Sequence, residues 1–407
     1  MNIEILPACI PVMNDASCEV VERKGLGHPD TVCDLIAERV SYDLGRYYLK
    51  ACGRILHYNV DKSLLVGGMS EPRFGGGTII EPAKLYMGDR AVGWMNGQPL
   101  RLDATIESSI ARWLTENLRF LRFRKGLIWQ NEIRAGSATL NSVEERDVCN
   151  DTSVGVGYWP LSDLESMTLA VEEEMNSSRF KENHPETGED IKVMSVRRGM
   201  TVDMTIACAF VDAFVTDVAD YIEKKEAVLA HVSGLLAERY SGKYRFSVAL
   251  NALDDPREGA AGLYLTVSGL SCEGGDSGQV GRGNRVNGLI SFMRPQTMEA
   301  WAGKNFKTHV GKIYSFAATN LARLVVTHVP EIREATIFLV SRIGSPVAKP
   351  AQVFADFKVA HGRSDAIKSR ASDVLRTAIE EGEIFRPEAL FAQAPGEPLI
   401  AGKEHAA

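Results

Sequence analysis

Residues Ser268–Lys312 read SGLSCEGGDSGQVGRGNRVNGLISFMRPQTMEAWAGKNFKTHVGK. The first half is dense in glycine, at Gly269, Gly274, Gly275, Gly278, Gly281, Gly283 and Gly288, and it carries Asp276, Arg282 and Arg285. Lys304, Lys307, His309 and Lys312 follow. Glycine lets backbone N–H groups turn toward a ligand with no Cβ in the way, and successive N–H groups of that kind form concavities for anions. Cationic side chains added to such a loop point to an anion of several charges, a polyphosphate. The standard nucleotide signatures are absent. No GxxxxGK[ST] occurs, and in GQVGRGNR Val286 stands where GxGxxG needs its third glycine.

The rest of the chain bounds that reading. With 407 residues it is long enough for two or three domains. At 45% hydrophobic and 24% charged residues, its composition is globular. A net charge of -7 argues against a surface that coats nucleic acid, so the basic cluster is a local feature. No apolar run approaches the roughly 20 residues of a membrane helix. The start, MNIEILPACIPVMNDASCEVVERK, has no basic segment followed by an apolar block, so no signal peptide is expected. Cys9, Cys18, Cys33, Cys52, Cys149, Cys208 and Cys272 form no CxxC, which fits reduced thiols in a cytoplasmic protein. The histidines form no HExxH, and zinc is not expected.

Working outward, VERKGLGHPD (21–30) is a polar loop leading into a helix from Thr31 to about Tyr48, where Val32, Leu35, Ile36, Val40 and Leu44 recur at helical spacing. Asp30 sits where an N-cap belongs. Its alternative role, with His28, is at a phosphate–metal site at that helix N-terminus. ILHYNVDKSLLVGG (55–68) reads as two short strands around Asp61 and Lys62, and EPRFGGG (71–77) as a turn. His57 reads as a hydrogen-bonded strand histidine, and Asp61 and Lys62 as a pair. Residues 103–122 predict an amphipathic helix. DTSVGVGYWP (151–160) precedes the capping box Ser162–Glu165, which leaves Asp151 outside the cap and without a local reason. HPETGED (184–190) reads as a loop, and IKVMSV and TVDMTIACAFV as paired strands. A helix over 212–239, strands KYRFSVAL and AGLYLTVSG, a helix near 308–329, the strand ATIFLVSR and a helix from Ser364 to Glu380 complete the order. Strands arrive in adjacent pairs with helices after them, an α+β pattern.

No GxSxG occurs, and no cysteine stands beside a credible base. Glycine loops, acids and cations spread along the chain suit stabilisation of a highly charged leaving group with metal ions, rather than covalent catalysis.

VERKGLGHPDTVCD, HYNVDKSLLVGG, PRFGGG, DTSVGVGY, GED-IKVM, GDSGQVGRGNRVNG and AGKNFKTHVGK occur in this order over roughly residues 20 to 345. Together they resemble the archaeal-type S-adenosylmethionine synthetases (methionine adenosyltransferases). The resemblance implies three similar α+β domains around a pseudo-threefold axis, with chain segments interleaved between domains. We place these at about 1–140, 141–255 and 256–385, with a tail over 386–407. It implies the conversion of ATP, L-methionine and water to S-adenosylmethionine, phosphate and diphosphate, with Mg²⁺ and K⁺. A homodimer with active sites at the subunit interface, or a dimer of dimers, is implied as well.

Carried over position by position, the resemblance makes His28 a phosphate contact and Asp30 a Mg²⁺ ligand. Asp151 would hold the methionine amino group. Asp190 and Lys192 would lie beside the nucleotide ribose and phosphate. Asp276 would be a second metal or methionine-side acid, Arg282 and Lys304 triphosphate contacts, and Lys62, Asn284, Arg285, His309 and Lys312 further nucleotide contacts. His28, Arg282 and Lys304 would be the catalytic set. The chain departs from the family pattern at Leu270, Cys272, Ser277, Phe292, Phe306 and Ser345. The alternatives are an enzyme of the same fold with a different amino-acid or nucleotide partner, and a non-catalytic nucleotide or polyphosphate binder.

Overall fold

A computed structural model describes residues 3–6, 11–137, 143–359 and 365–386. The expected tail lies outside these from 387 onward. Three sheets dominate, each backed by its own apolar cluster.

The first sheet runs in the order Leu127–Arg134, Ala83–Ala91, Leu64–Val66, Gly278–Gln279, with Tyr58–Asn59 also on Ala83–Ala91. Helices Pro29–Cys52 and Leu102–Asn117 cover it, burying Leu35, Ile36, Ile110 and Trp113 against Leu65, Leu85 and Met87. The second is Arg245–Leu250, Thr201–Val211, Thr187–Arg198, Cys18–Lys24, Ile290–Ser291, with Leu265–Thr266 on Thr201–Val211. Its helices are Asp163–Met175 and Val218–Tyr240. The third is Ile3–Ile5, Gln352–Val359, Ile332–Val340, Val154–Trp159, with helices Val310–His328 and Asp365–Glu381. Each sheet takes in a strand remote in sequence from its neighbours. The glycine-rich stretch is thereby tied to both the first and second sheets, through Gly278–Gln279 and Ile290–Ser291.

The expected α+β order holds, with differences that have local causes. The first helix begins at Pro29, and its N-cap is His28 rather than Asp30: His28 is extended, and its Nδ1 accepts the Asp30 N–H at 3.2 Å. The helix expected over 103–122 stops at Asn117, where Leu118 turns extended. The one expected over 212–239 starts at Val218, because Asp217 accepts the Asp220 N–H and sets the N-terminus there. HPETGED is a loop only as far as Glu186, since Thr187 opens a strand paired with Thr201–Val211. AGLYLTVSG supplies only the two-residue strand Leu265–Thr266. The Ser162–Glu165 capping box is present.

The glycines of DTSVGVGY serve packing. A Cβ on Gly155 would meet the Tyr314 carbonyl carbon at 2.2 Å, and one on Gly157 would meet the Thr319 nitrogen at 2.1 Å. Helix Val310–His328 therefore lies directly on strand Val154–Trp159.

Candidate active site

Helix Pro29–Cys52 carries acids at Asp30, Asp34 and Glu38, spaced by four and so on one face. Each receives a backbone N–H from the chain that returns in the glycine-rich stretch. Asp30 Oδ1 accepts from Gln279 at 2.9 Å, Asp34 Oδ1 from Gly281 at 2.8 Å, and Glu38 Oε2 from Gly303 at 3.0 Å. Lys24, at the end of its strand, adds a clamp: its Nζ donates to Asp30 Oδ2 at 2.9 Å and to the Arg282 carbonyl at 2.6 Å.

These bonds decide where the predicted cations point. Asn284 is buried and makes two bonds to the Lys24 backbone. The Arg285 guanidinium turns back onto the Gly281 and Gly283 carbonyls at 2.6 and 2.8 Å. Arg282, between the two glycines, is exposed and lines a cleft of about 520 Å³. Lys62, Lys304, Asp61 and Glu299 line the same cleft. Lys304 is buried, pairs with Asp61 and lies 3.3 Å from Glu299. Burial opposes ionisation of Asp61, but Lys304 and Lys62 outweigh it and hold the carboxyl well below the usual carboxylate range.

A second group adjoins the cleft through the same loop. The GHPD turn runs along strand Thr187–Arg198, with the Gly25 and Gly27 N–H groups on the carbonyls of Ile191 and Glu189. That brings His28 into the electrostatic reach of Lys192 and Asp276. Burial is the main reason the His28 pKa falls to about 4, so the ring is neutral at pH 7. With Nδ1 accepting the Asp30 N–H, the ring proton sits on Nε2, which is left as a donor. Lys192 is half-exposed and lies 3.6 Å from Glu22. The Ser271 hydroxyl lies between the carboxylates of Asp190 and Asp276, and Asp190 also accepts the Ser271 N–H at 2.9 Å. Burial pushes Asp190 up to about 7, with Asp276 adding to the rise against the Ser271 bonds.

The remaining predicted residues lie elsewhere. Asp151 is exposed, and its Oδ1 accepts the N–H of its own neighbour Thr152 at 2.7 Å, two residues before Ser153 in the cleft lining. His309 is buried as the N-cap of helix Val310–His328, its Nδ1 accepting from Gly311 at 3.3 Å, and burial drives its pKa well below the ordinary value. Lys312 is fully buried, and its Nζ donates to Glu38 at 2.7 and 2.6 Å. His57 lies just before strand Tyr58–Asn59 rather than in it, and accepts from Arg90 Nε at 3.0 Å, so the hydrogen-bonded reading holds and the strand placement does not.

Lys24, Asp34, Glu38, Ser271 and Glu299 were not singled out from sequence. For the acids a signal existed: three carboxylates on one face of a helix whose neighbouring positions are otherwise buried and apolar.

Of the departures from the family pattern, Leu270, Cys272 and Phe306 are taken up by packing, Ser277 by a hydrogen bond, and Phe292 is exposed. Leu270 and Cys272 are buried in the first cluster, and Ser277 Oγ accepts the Gly67 N–H at 3.1 Å. Phe306 fills the space over Gly45, where a Cβ would meet its ring at 2.3 Å.

Comparison with known proteins gives one answer. The family model described as S-adenosylmethionine synthetase (AdoMet synthetase) matches residues 1–388. A probable S-adenosylmethionine synthase of Aquifex aeolicus is 43% identical over 391 residues, which is 94% of this chain and 95% of that protein. The S-adenosylmethionine synthase of Hyperthermus butylicus is 41% identical over 391 residues, 93% of this chain and 94% of the relative. Among solved structures, an unusual S-adenosylmethionine synthetase from Campylobacter jejuni aligns over 93% of this chain and 89% of its own with a TM-score of 0.60. At 15% identity that likeness speaks for the fold alone. With a family model that runs nearly end to end and full-length relatives above 40% identity, the chain belongs to the S-adenosylmethionine synthetase family.

Proposed function

We propose that this chain makes S-adenosylmethionine from ATP and L-methionine, with the triphosphate of ATP lying over the Gly278–Arg282 loop. The observation that carries the reading is the exposed Arg282 in one cleft with Lys304 and Lys62. A thioether has no proton to lose, so attack of the methionine sulfur on C5′ of ATP needs alignment rather than a general base. The leaving group is tripolyphosphate, and fixed cations stabilise the charge it gains. Arg282 and Lys304 meet that charge, with Lys62 at the mouth of the cleft. Neutral His28 donates from Nε2 to a phosphate oxygen. The same groups hold tripolyphosphate while water cleaves it to phosphate and diphosphate.

Asp276 and Asp151 take the ammonium of methionine, and Asp190 and Lys192 the ribose and phosphate side of the nucleotide. Asn284, Arg285, His309 and Lys312 act from beneath, by fixing the loop and the helix that present the cations. Mg²⁺ of the kind held by one or two carboxylates plus substrate phosphates would be held by Asp276 and, where the ion displaces the Lys24 ammonium from Oδ2, by Asp30, whose Oδ1 keeps the Gln279 N–H. Among the described residues no group of three or more His, Cys, Asp or Glu is arranged for a metal, and substrate phosphates would supply the remaining ligands. The bound ion supplies charge neutralisation at the phosphates. K⁺, which the resemblance also implies, has no assigned residue.

We place the three cores in the domains over about 1–140, 141–255 and 256–385 around a pseudo-threefold axis, with strands exchanged between them, Cys18–Lys24 inside the second sheet among them. Exposed Leu64 and Val66 on the first sheet, and Met69 and Ile80 on the separate two-stranded sheet Met69–Glu71 with Thr78–Glu81, support a homodimer through this face, on which a dimer of dimers would build. Unpaired cysteines throughout the described residues, and no helix among them long and apolar enough to cross a membrane, support a cytoplasmic enzyme. The test is incubation with ATP, Mg²⁺, K⁺ and methionine while following S-adenosylmethionine and phosphate. Arg282→Ala and Asp276→Asn should each cut turnover by orders of magnitude with an unchanged melting temperature; near-normal turnover would sink the site.

A further inference from the structure

The middle acid of the stripe on helix Pro29–Cys52 has no role in the chemistry above. Asp34 is 2% exposed and bonds the Gly281 N–H. Gly283 lies so close that a Cβ there would meet Asp34 Oδ2 at 2.1 Å. Burial raises the Asp34 carboxyl to about 7, against the backbone N–H groups of Gly281 and Gly283 and the charge of Arg285. For stability alone, a carboxyl buried in this way is costly. What it provides is geometry. The N–H groups of the two glycines are drawn toward the helix, while Arg285 holds both of their carbonyls. Arg282, the residue between them, is fixed on both sides and exposed at the cleft.

We propose that Asp34 is a positioning residue for the polyphosphate: its carboxyl locks the Gly281–Gly283 backbone and so aims Arg282 into the cleft. This rests on the proposed role of Arg282, and the experiment separates the two. Full-length Asp34→Asn, Gly283→Ala and Arg282→Ala are titrated with ATP and Mg²⁺ in the absence of methionine, and the KM for each substrate is then measured. In Asp34→Asn an amide N–H₂ replaces one of the two acceptor oxygens that face the loop. ATP affinity should fall about tenfold, the effect of one lost charge-assisted bond, while the KM for methionine stays within about twofold. Gly283→Ala reaches the same contact from the loop side, its Cβ pressing on Asp34 Oδ2 while the carboxyl itself is kept, so it keeps the test alive if Asp34→Asn folds poorly. Adding Asp34→Ala to Gly283→Ala should cost less than the sum of the two, because the first removes the clash made by the second.

If Asp34→Asn and Gly283→Ala bind ATP within about twofold of the unaltered chain while Arg282→Ala does not, the positioning role is overturned and the loop reading stands. If Arg282→Ala also binds normally, the loop reading fails and takes this proposal with it. Equal rises in the KM for ATP and for methionine would mark Asp34 as merely structural.

Discussion

Lys304 meets the Asp61 carboxylate at the floor of the cleft, buried, while Lys62 meets the same carboxylate from solvent at 2.8 Å. The two cations differ in what their removal leaves behind. Losing Lys304 leaves the buried Asp61 carboxylate without its buried cation, held by Asn59 and the solvent-side Lys62. Breaking a buried pair costs about 3–5 kcal/mol, whereas the exposed Lys62 is screened by water and is worth about 1 kcal/mol or less. Lys304→Met should therefore lower unfolding free energy in urea by about 3 kcal/mol and Lys62→Ala by less than about 1 kcal/mol. Equal losses would refute the asymmetry.

The same contrast explains what was legible in the sequence. The resemblance makes Arg282 and Lys304 triphosphate contacts and Lys62 a further nucleotide contact, and all three line one cleft, where Lys62 also makes the pair with Asp61 that the sequence suggests. Periodicity located the helices, because Val32, Leu35, Ile36 and Val40 repeat a burial pattern that composition carries. The sheet partners of Gly278–Gln279 and Ile290–Ser291 were not legible: they are two residues long and pair with strands more than two hundred positions away. Nor was the direction of Arg285 or Lys312. A cation in a motif looks the same whether it faces the ligand or the helix beneath, and only the carbonyls of Gly281 and Gly283, and the carboxylate of Glu38, tell which.

Lys312 and Glu38 form a pair buried on both sides. Lys312→Met alone leaves the Glu38 carboxylate without its cation and should cost about 3–5 kcal/mol. Glu38→Gln with Lys312→Met removes both charges and keeps an oxygen for the Gly303 N–H. That double variant should fall within about 1 kcal/mol of the unaltered chain, with the KM for ATP close to normal. If its KM rises as far as that of Lys312→Met, the ammonium touches the phosphates after all.

Asp190 supplies a pH dependence whose sign is fixed. Its carboxyl titrates at about 7 in the fold against an ordinary value of 3.8. The folded chain therefore binds a proton that the unfolded chain has released, and the stabilisation is complete below the ordinary value and lost as pH rises through about 7. Unfolding free energy should drop by on the order of a few kcal/mol across that window, with Asp34 contributing in the same direction. Asp190→Asn should flatten the drop. Urea titrations at a series of pH values measure it, and an identical slope in the variant would contradict the assignment.

His28 does two jobs with two nitrogens, and one substitution separates them. Nδ1 caps the helix by accepting the Asp30 N–H, and Nε2 is the donor proposed for phosphate. Asparagine is among the best N-caps, so His28→Asn should keep the helix start and change stability by less than about 0.5 kcal/mol. Its shorter amide cannot place a donor where Nε2 stands. Turnover should fall about a hundredfold, the size seen when one transition-state donor is removed. Because the ring titrates at about 4, the unaltered enzyme's activity should show no His28 step between about pH 6 and 8, and His28→Asn should lower that profile without changing its shape. His28→Ala, which removes both functions, should add about 1 kcal/mol of destabilisation to the same loss of turnover. A His28→Asn enzyme with normal turnover and unchanged stability would leave His28 as a cap and nothing more.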